Sequence, residues 1–251
     1  MITEYHRPKS LDEALTLLTQ SNTVPLGGGT LLSHPSTDSV EVVDLQSLGL
    51  NSLKKNGNNL EIGATATLQR LMENENCPQA LKQAIKLEAP LNIRNTATVA
   101  GTIVASDGRS TFATCLLAFD TKIEQAILDN SKVEYRLSNL GDFLPLRSKS
   151  LITKIIFPLN VKFAFDYVSR TPADKPIVCV ALSQWTSGRT RLALGGYGKS
   201  PLLAMDGTES DGIESAARNA YHEAKDDWAS AEYRQDVAAT LAQRCLDNSK
   251  A

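Results

Sequence analysis

The densest run of conformationally free backbone in the sequence is Pro25-Leu26-Gly27-Gly28-Gly29-Thr30-Leu31-Leu32. Glycines let the chain turn sharply and approach another group closely. Successive N–H groups in such a turn form an anion-binding nest. With the Thr30 hydroxyl as a further donor, the run suits a diphosphate; a tight strand-to-helix turn without a ligand is the alternative reading. It is not a dinucleotide fingerprint, because Leu32 stands where the third glycine is needed and Asp44 comes early for the ribose acid. A second run, Gly195-Gly196-Tyr197-Gly198-Lys199-Ser200, ends like a P-loop but has Ala193 where that motif opens with glycine. A structural turn suits it better. The third stretch, Ile93-Arg94-Asn95-Thr96-Ala97-Thr98-Val99-Ala100-Gly101-Thr102, is rich in small residues, with hydroxyls at Thr98 and Thr102. Read as a strand, it lets a flat or extended ligand lie close to the backbone, and Arg94 is available to face an anion.

Other chemistries lack their parts. His6, His34 and His222 are widely separated, which argues against a histidine metal site or a Ser-His-Asp arrangement. Cys77, Cys115, Cys179 and Cys245 form no C-x-x-C pair, so an iron–sulfur or zinc site within this chain is not expected. The formal charge of -2 on 251 residues argues against nucleic-acid binding. No run of about 18 apolar residues offers a membrane span. The opening Met1 to Pro8 is unlike a secretory signal. Buried thiols in a cytoplasmic protein are the expectation.

The elements that position these residues follow from pattern. Ser10-Leu11-Asp12-Glu13 reads as a capping box, followed by Leu11, Ala14, Leu15 and Leu18 at helical spacing. Strands are expected at Thr23 to Leu26, Glu41 to Leu45 and Leu60 to Ile62, the last after a turn at Gly57-Asn58-Asn59. Helices are expected from Thr67 to Met72, Pro78 to Leu87 and Phe112 to Phe119. Thr98 to Ala105 reads as a strand. Lys122 to Leu128 and Lys132 to Leu137 read as strands around Asp129-Asn130-Ser131, and Ser150 to Phe157 as another. After a break near Pro158 to Val161, three strands (Phe163 to Ser169, Ile177 to Trp185, Thr190 to Leu194) precede helices at Gly212 to Lys225 and Glu232 to Leu246.

Six segments, among them the first and third of the stretches above, carry a family likeness: Gly27-Gly28-Gly29-Thr30; Gly63-Ala64-Thr65-Ala66-Thr67-Leu68; Ile93 to Thr102; Leu116-Leu117-Ala118-Phe119-Asp120-Thr121; Ala193-Leu194-Gly195-Gly196-Tyr197; and Ser230-Ala231-Glu232-Tyr233-Arg234. In this order, and with Leu151-Ile152-Thr153-Lys154-Ile155, they resemble motifs of the FAD-binding subunits of molybdenum hydroxylases, the xanthine dehydrogenase and aerobic carbon monoxide dehydrogenase family. The likeness spans nearly the whole chain.

The resemblance implies an α+β chain. Two subdomains, 1–54 and 55–160, form the FAD-binding fold of the vanillyl-alcohol-oxidase / molybdopterin dehydrogenase type and hold FAD between them. A small α+β C-terminal domain, 161–251, with a three-stranded sheet and helices, is of the carbon monoxide dehydrogenase flavoprotein type. Carried over, the cofactor-binding set is Leu26, Gly27, Gly28, Gly29, Thr30, Leu31, Thr98, Ala100, Gly101, Thr102, Thr111, Ile152 and Tyr167, with no catalytic side chain and no metal ligand. The implied partners are a molybdopterin-binding large subunit, which oxidises the substrate, and a 2Fe-2S small subunit, which passes electrons to FAD in this chain. An external acceptor (NAD, a quinone, oxygen or another carrier) takes them onward. The pattern also departs from the family: Ala100 and Thr102 replace glycine and asparagine, Thr111 replaces an aspartate, and Tyr167 a lysine. These departures motivate an alternative, a docking subunit of the same complex with lost or altered FAD binding. A stand-alone FAD oxidoreductase is a third reading.

Overall fold

The computed structural model describes residues 1–130, 132–147 and 150–250. The chain begins with β1 (Ile2–His6), α1 (Leu11–Leu18), β2 (Thr23–Leu26) and β3 (Val40–Asp44), whose strands form a parallel sheet in the order β1-β3-β2. The start of α1 is set by Ser10, whose side chain accepts from the Glu13 N–H, while the Glu13 carboxylate accepts from the Lys9 N–H. Ala14 and Leu15 then bury one face of α1 against Val43, Leu45, Ala126 and Leu151. Strand β1 has no sequence expectation behind it; its residues are largely exposed and show no inward face.

The middle of the chain runs β4 (Leu53–Asn56), β5 (Asn59–Gly63), α2 (Leu68–Glu73), α3 (Gln79–Glu88), α4 (Leu91–Arg94), α5 (Val99–Ala105), α6 (Thr111–Ala118), β6 (Lys122–Asp129), β7 (Lys132–Asn139), α7 (Leu140–Leu146) and β8 (Leu151–Pro158). Its antiparallel sheet has the order β4-β5-β8-β6-β7. The central core joins Leu60, Ile62, Ile123, Ile155 and Phe157 from that sheet to Leu81, Ile85, Phe112 and Leu116 from α3 and α6. Of the turn expected at Asp129 to Ser131, Ser131 lies outside the described residues.

One expectation here is corrected. Thr98 to Ala105 is not a strand: Thr98 is the N-cap of helix α5, its side chain accepting from the Gly101 N–H. Val99 and Ile103, one helical turn apart, are the residues that α5 buries. The small residues between them contrast too little in hydropathy to show this period, so the cap decides the conformation.

The last third forms β9 (Val161–Val168), β10 (Val178–Trp185), β11 (Thr190–Gly195), β12 (Leu202–Gly207), α8 (Ile213–Ala220) and α9 (Ala231–Lys250). The sheet has four antiparallel strands in the order β12-β11-β10-β9, where three were expected. The added strand, β12, is an edge strand whose Leu202 and Leu203 are both exposed, so it lacks the alternation that marks a half-buried strand. Strand β10 is buried on both faces. Val178, Val180 and Leu182 meet α8 and α9, while Cys179 and Ala181 join the central core. Phe119, just after α6, stacks at 4.0 Å on Phe163 of β9 and at 4.9 Å on Phe157 of β8. No helix among the described residues is long and apolar enough to cross a membrane.

Candidate functional site

The glycine run follows β2, whose parallel pairing with β3 ends at Leu26 opposite Asp44. There the chain leaves the sheet and crosses the segment that leads into α5. A Cβ on Gly28 would lie 1.8 Å from the Thr96 carbonyl oxygen, and one on Gly27 would lie 2.7 Å from Thr98 Oγ1. Only glycine at position 28 permits this approach, because the opposing atom is backbone. The sequence therefore brings its first and third chemically suggestive stretches together.

The N–H groups of Gly27, Gly28, Gly29, Thr30 and Leu31 donate to no acceptor among the described residues, and the Thr30 hydroxyl has no partner there either. Residues 27 to 30 are half-buried and Leu31 is exposed. Five consecutive donors at a partly sheltered surface are the arrangement an anion takes.

The wall facing the loop is differently disposed. Val99 N–H donates to Ala66 O at 2.8 Å and Ala100 N–H to Ala64 O at 3.2 Å. Gly101 N–H donates to Thr98 Oγ1, and both the N–H and the hydroxyl of Thr102 donate to Thr98 O. The first amides of α5 are thus engaged within the chain. Ala64 N–H in turn donates to Thr153 O, which links α5 through residue 64 to β8 beside Ile152.

Residues 1–160 match the family described as "FAD binding domain in molybdopterin dehydrogenase". The chain belongs to that family. Among the relatives of this FAD-binding family member is the Escherichia coli (strain K12) protein called "Uncharacterized protein YgfM". It is 28% identical over 250 residues that cover 96% of this chain and 94% of that protein. The "Carbon monoxide dehydrogenase medium chain" of Afipia carboxidovorans is 23% identical, covering 99% of this chain and 96% of that one. Two solved structures share the fold. A chain of the Cu,Mo-CO dehydrogenase in its cyanide-inactivated form superposes with a TM-score of 0.81 at 22% identity, covering 100% of this chain and 98% of that one. A chain of quinoline 2-oxidoreductase from Pseudomonas putida 86 does so with 0.75 at 20% identity, covering 98% and 96%.

FAD fits the glycine loop on the chain's own terms. The run of unengaged amides and the Thr30 hydroxyl match a diphosphate in charge and hydrogen-bonding sense, and the close approach at Gly28 leaves no side chain in the way.

The other expected residues are distributed around this loop in different ways. Leu26, half-buried, is the last residue of β2. Ile152 is buried in the cluster that also holds Ala64, Ala97 and Val99. Thr111 opens α6, and its hydroxyl donates to Ala84 O at 2.7 Å with Glu88 Oε2 at 3.2 Å. Glu88 also accepts from Ser110 Oγ and the Phe112 N–H, so this glutamate from α3 supplies the carboxylate at the start of α6. Tyr167 is half-buried on β9, opposite Cys179, with its ring 6.0 Å from Phe165. Arg94, read as free to face an anion, donates to Gln69 and to Ala89 O.

Burial pushes the thiols of Cys77, Cys179 and Cys245 up to about 12, and that of Cys115 well above its ordinary value. All four cysteines are free and buried.

Sequence reasoning passed over the residues that surround the loop after α5. Arg109 donates to Asp226 and lies over the ring of Trp228; Arg147 donates to the carbonyls of Val104, Ser106 and Lys199. Lone arginines carry no motif, so no local pattern marks them.

Proposed function

We propose that this chain is the FAD-binding electron-transfer subunit of a molybdenum hydroxylase-type complex in the cytoplasm. The unengaged amides of Gly27 to Leu31 are the observation that carries this reading. In it, these amides and the Thr30 hydroxyl hold the diphosphate of FAD. Thr98, Ala100, Gly101 and Thr102 form the facing wall, and Ile152 is assigned the aliphatic position near the flavin ring. Thr111 and Tyr167 complete the proposed set. The units 1–54, 55–160 and 161–251 are its domains, with β4 crossing the first boundary.

Bound FAD supplies the redox chemistry, taking up single electrons and releasing pairs. The chain's own share is binding and orientation. Oxidation of the substrate falls to a molybdopterin-binding large subunit, and 2Fe-2S clusters of a small subunit deliver the electrons. An external acceptor such as NAD, a quinone or oxygen takes them away. The buried cysteines of this chain, with thiols held protonated by burial, are consistent with iron–sulfur clusters residing elsewhere.

A second reading, a docking subunit with altered FAD binding, draws on one observation. The Thr111 hydroxyl and the first α5 amides are engaged within the chain, which leaves the glycine loop as the main anion grip. Purification of a tagged chain from its own cells separates the two. The relay reading expects FAD, iron and molybdenum to co-purify in fixed ratio. Iron and molybdenum without flavin would favour the docking subunit; a chain carrying neither metal contradicts both.

A further inference from the structure

The helix α5 is fixed at both ends by different parts of the chain. Its start abuts Gly27 and Gly28. Its end runs into the loop Ser106 to Ser110, whose residues are fastened to the last third of the molecule. Gly108 N–H donates to Gly198 O at 3.0 Å, and Gly108 O accepts from Gly196 N–H at 2.6 Å. A Cβ on Gly108 would fall 1.9 Å from Tyr197 O, so the two backbones are in direct contact. Lys175 Nζ lies 3.4 Å from Asp107.

Arg109 makes the longest reach. Its Nη2 donates to Asp226 Oδ2 at 2.8 Å, across 117 positions of sequence. Its guanidinium carbon stands 3.9 Å from the ring centre of Trp228, and that of Arg170 stands 4.1 Å from the same ring. What Arg109 grips is itself held firmly. Asp226 accepts from the Trp228 and Ala229 N–H groups and from Arg234, which is fully buried and also donates to Ala224 O, Ala229 O and Ile177 O.

We infer that Arg109 is a positioning residue for the glycine-loop site: by anchoring the loop after α5 to Asp226 and Trp228, it holds α5 in register against Gly27 and Gly28. The inference rests on the proposal that FAD binds there. Arg109 need not touch the cofactor. The contact of Gly28 with Thr96 O leaves no slack, so a small displacement of α5 is transmitted directly to the amides that face the anion. The C-terminal third, which lies outside the matched residues 1–160, thereby becomes part of the site.

The test is a FAD titration of the full chain by flavin fluorescence and visible circular dichroism, on the natural protein and on Arg109→Ala, Trp228→Ala, the double variant, Arg109→Lys and Arg218→Ala. Arg218 pairs with Asp236 within the C-terminal helices and serves as a control. The expected result is a rise in Kd of about tenfold for Arg109→Ala, a magnitude usual for coupled contacts. A changed circular dichroism of the bound flavin should accompany it. Trp228→Ala should act similarly and the double variant no more than slightly worse. Arg109→Lys, which keeps the charge opposite Asp226, should recover part of the affinity, and Arg218→Ala should leave it unchanged. Equal Kd and identical flavin signal in the natural protein and Arg109→Ala would overturn the inference while leaving the FAD proposal intact. Absence of binding by the natural protein, alone and after assembly with its partner subunits, would overturn the FAD proposal, and this inference with it.

Discussion

The two glycine-rich runs of this chain have similar composition and opposite fates. In Gly27 to Thr30 the backbone touches Thr96 on one side and leaves its N–H groups unengaged on the other. In Gly195 to Gly198 the backbone is engaged on the chain itself: Gly196 donates to Gly108 O, Gly198 O accepts from Gly108, and the Gly195 carbonyl accepts from the buried Tyr221 hydroxyl at 2.8 Å. The first run leaves its donors open to something outside the chain; the second is a seam between its parts. Glycine is required in both for the same reason, close backbone approach. What separates a site from a seam is whether the donors find partners when the chain folds.

Substitutions should separate the two runs in the order of their effects. The largest is expected at the seam. A Cβ at Gly196 would lie 2.1 Å from Ile177 O, on a residue with φ of 121°. Gly196→Ala should therefore destabilise the fold by more than about 3 kcal/mol, seen as a large fall in the urea midpoint of the ligand-free protein.

At the site the balance reverses. Gly28→Ala forces the loop away from Thr96 and should weaken FAD binding by about 2–3 kcal/mol, roughly a hundredfold in Kd. Its effect on the urea midpoint should be smaller than that of Gly196→Ala, since the loop is only half-buried. Equal losses of stability from both substitutions would erase the contrast.

Acid should loosen the seam before it affects the loop amides, which do not titrate. Burial pushes the Asp226 carboxyl up, but hydrogen bonds from Arg234 and from the Trp228 and Ala229 amides outweigh it and bring the pKa down to about 2. A carboxylate with a depressed folded pKa contributes stability that is present above its unfolded value near 4 and is lost as pH falls toward 2. The expected contribution is at most about 2 kcal/mol. Unfolding followed between pH 5 and pH 2 should show that loss in the natural protein and a flatter profile in Asp226→Asn.

The smallest effect belongs to the cap that shapes the wall of the site. Thr98→Ala removes the acceptor for the Gly101 N–H and should cost about 1 kcal/mol. The urea midpoint should drop accordingly, and Thr98→Ser should restore most of it.

The sequence makes some of this legible and hides the rest for physical reasons. Strands β10 and β11 can be read because both faces are buried and their apolar runs are continuous. The glycine loop can be read because three adjacent glycines are rarely accidental. Strands β1 and β12 escape because they lie at sheet edges and expose residues of every kind. Helix α7 contains Pro145 near its end, which argues against a helix by propensity. The α5 segment misleads because alanine, glycine and threonine show no period, so the cap at Thr98 has to be weighed above the pattern. Of the site, the loop and its facing segment are visible as motifs. The anchoring of Ser106 to Ser110 is not, since its partners are brought together only by the packing of distant elements.

The most direct measurement is the visible absorption spectrum of the purified chain after incubation with FAD and removal of free cofactor by desalting. The account predicts that flavin bands remain in near-equimolar amount and that Gly28→Ala loses them. A natural protein that emerges colourless, alone and after assembly with its partner subunits, would contradict the assignment of Gly27 to Leu31 as a cofactor site.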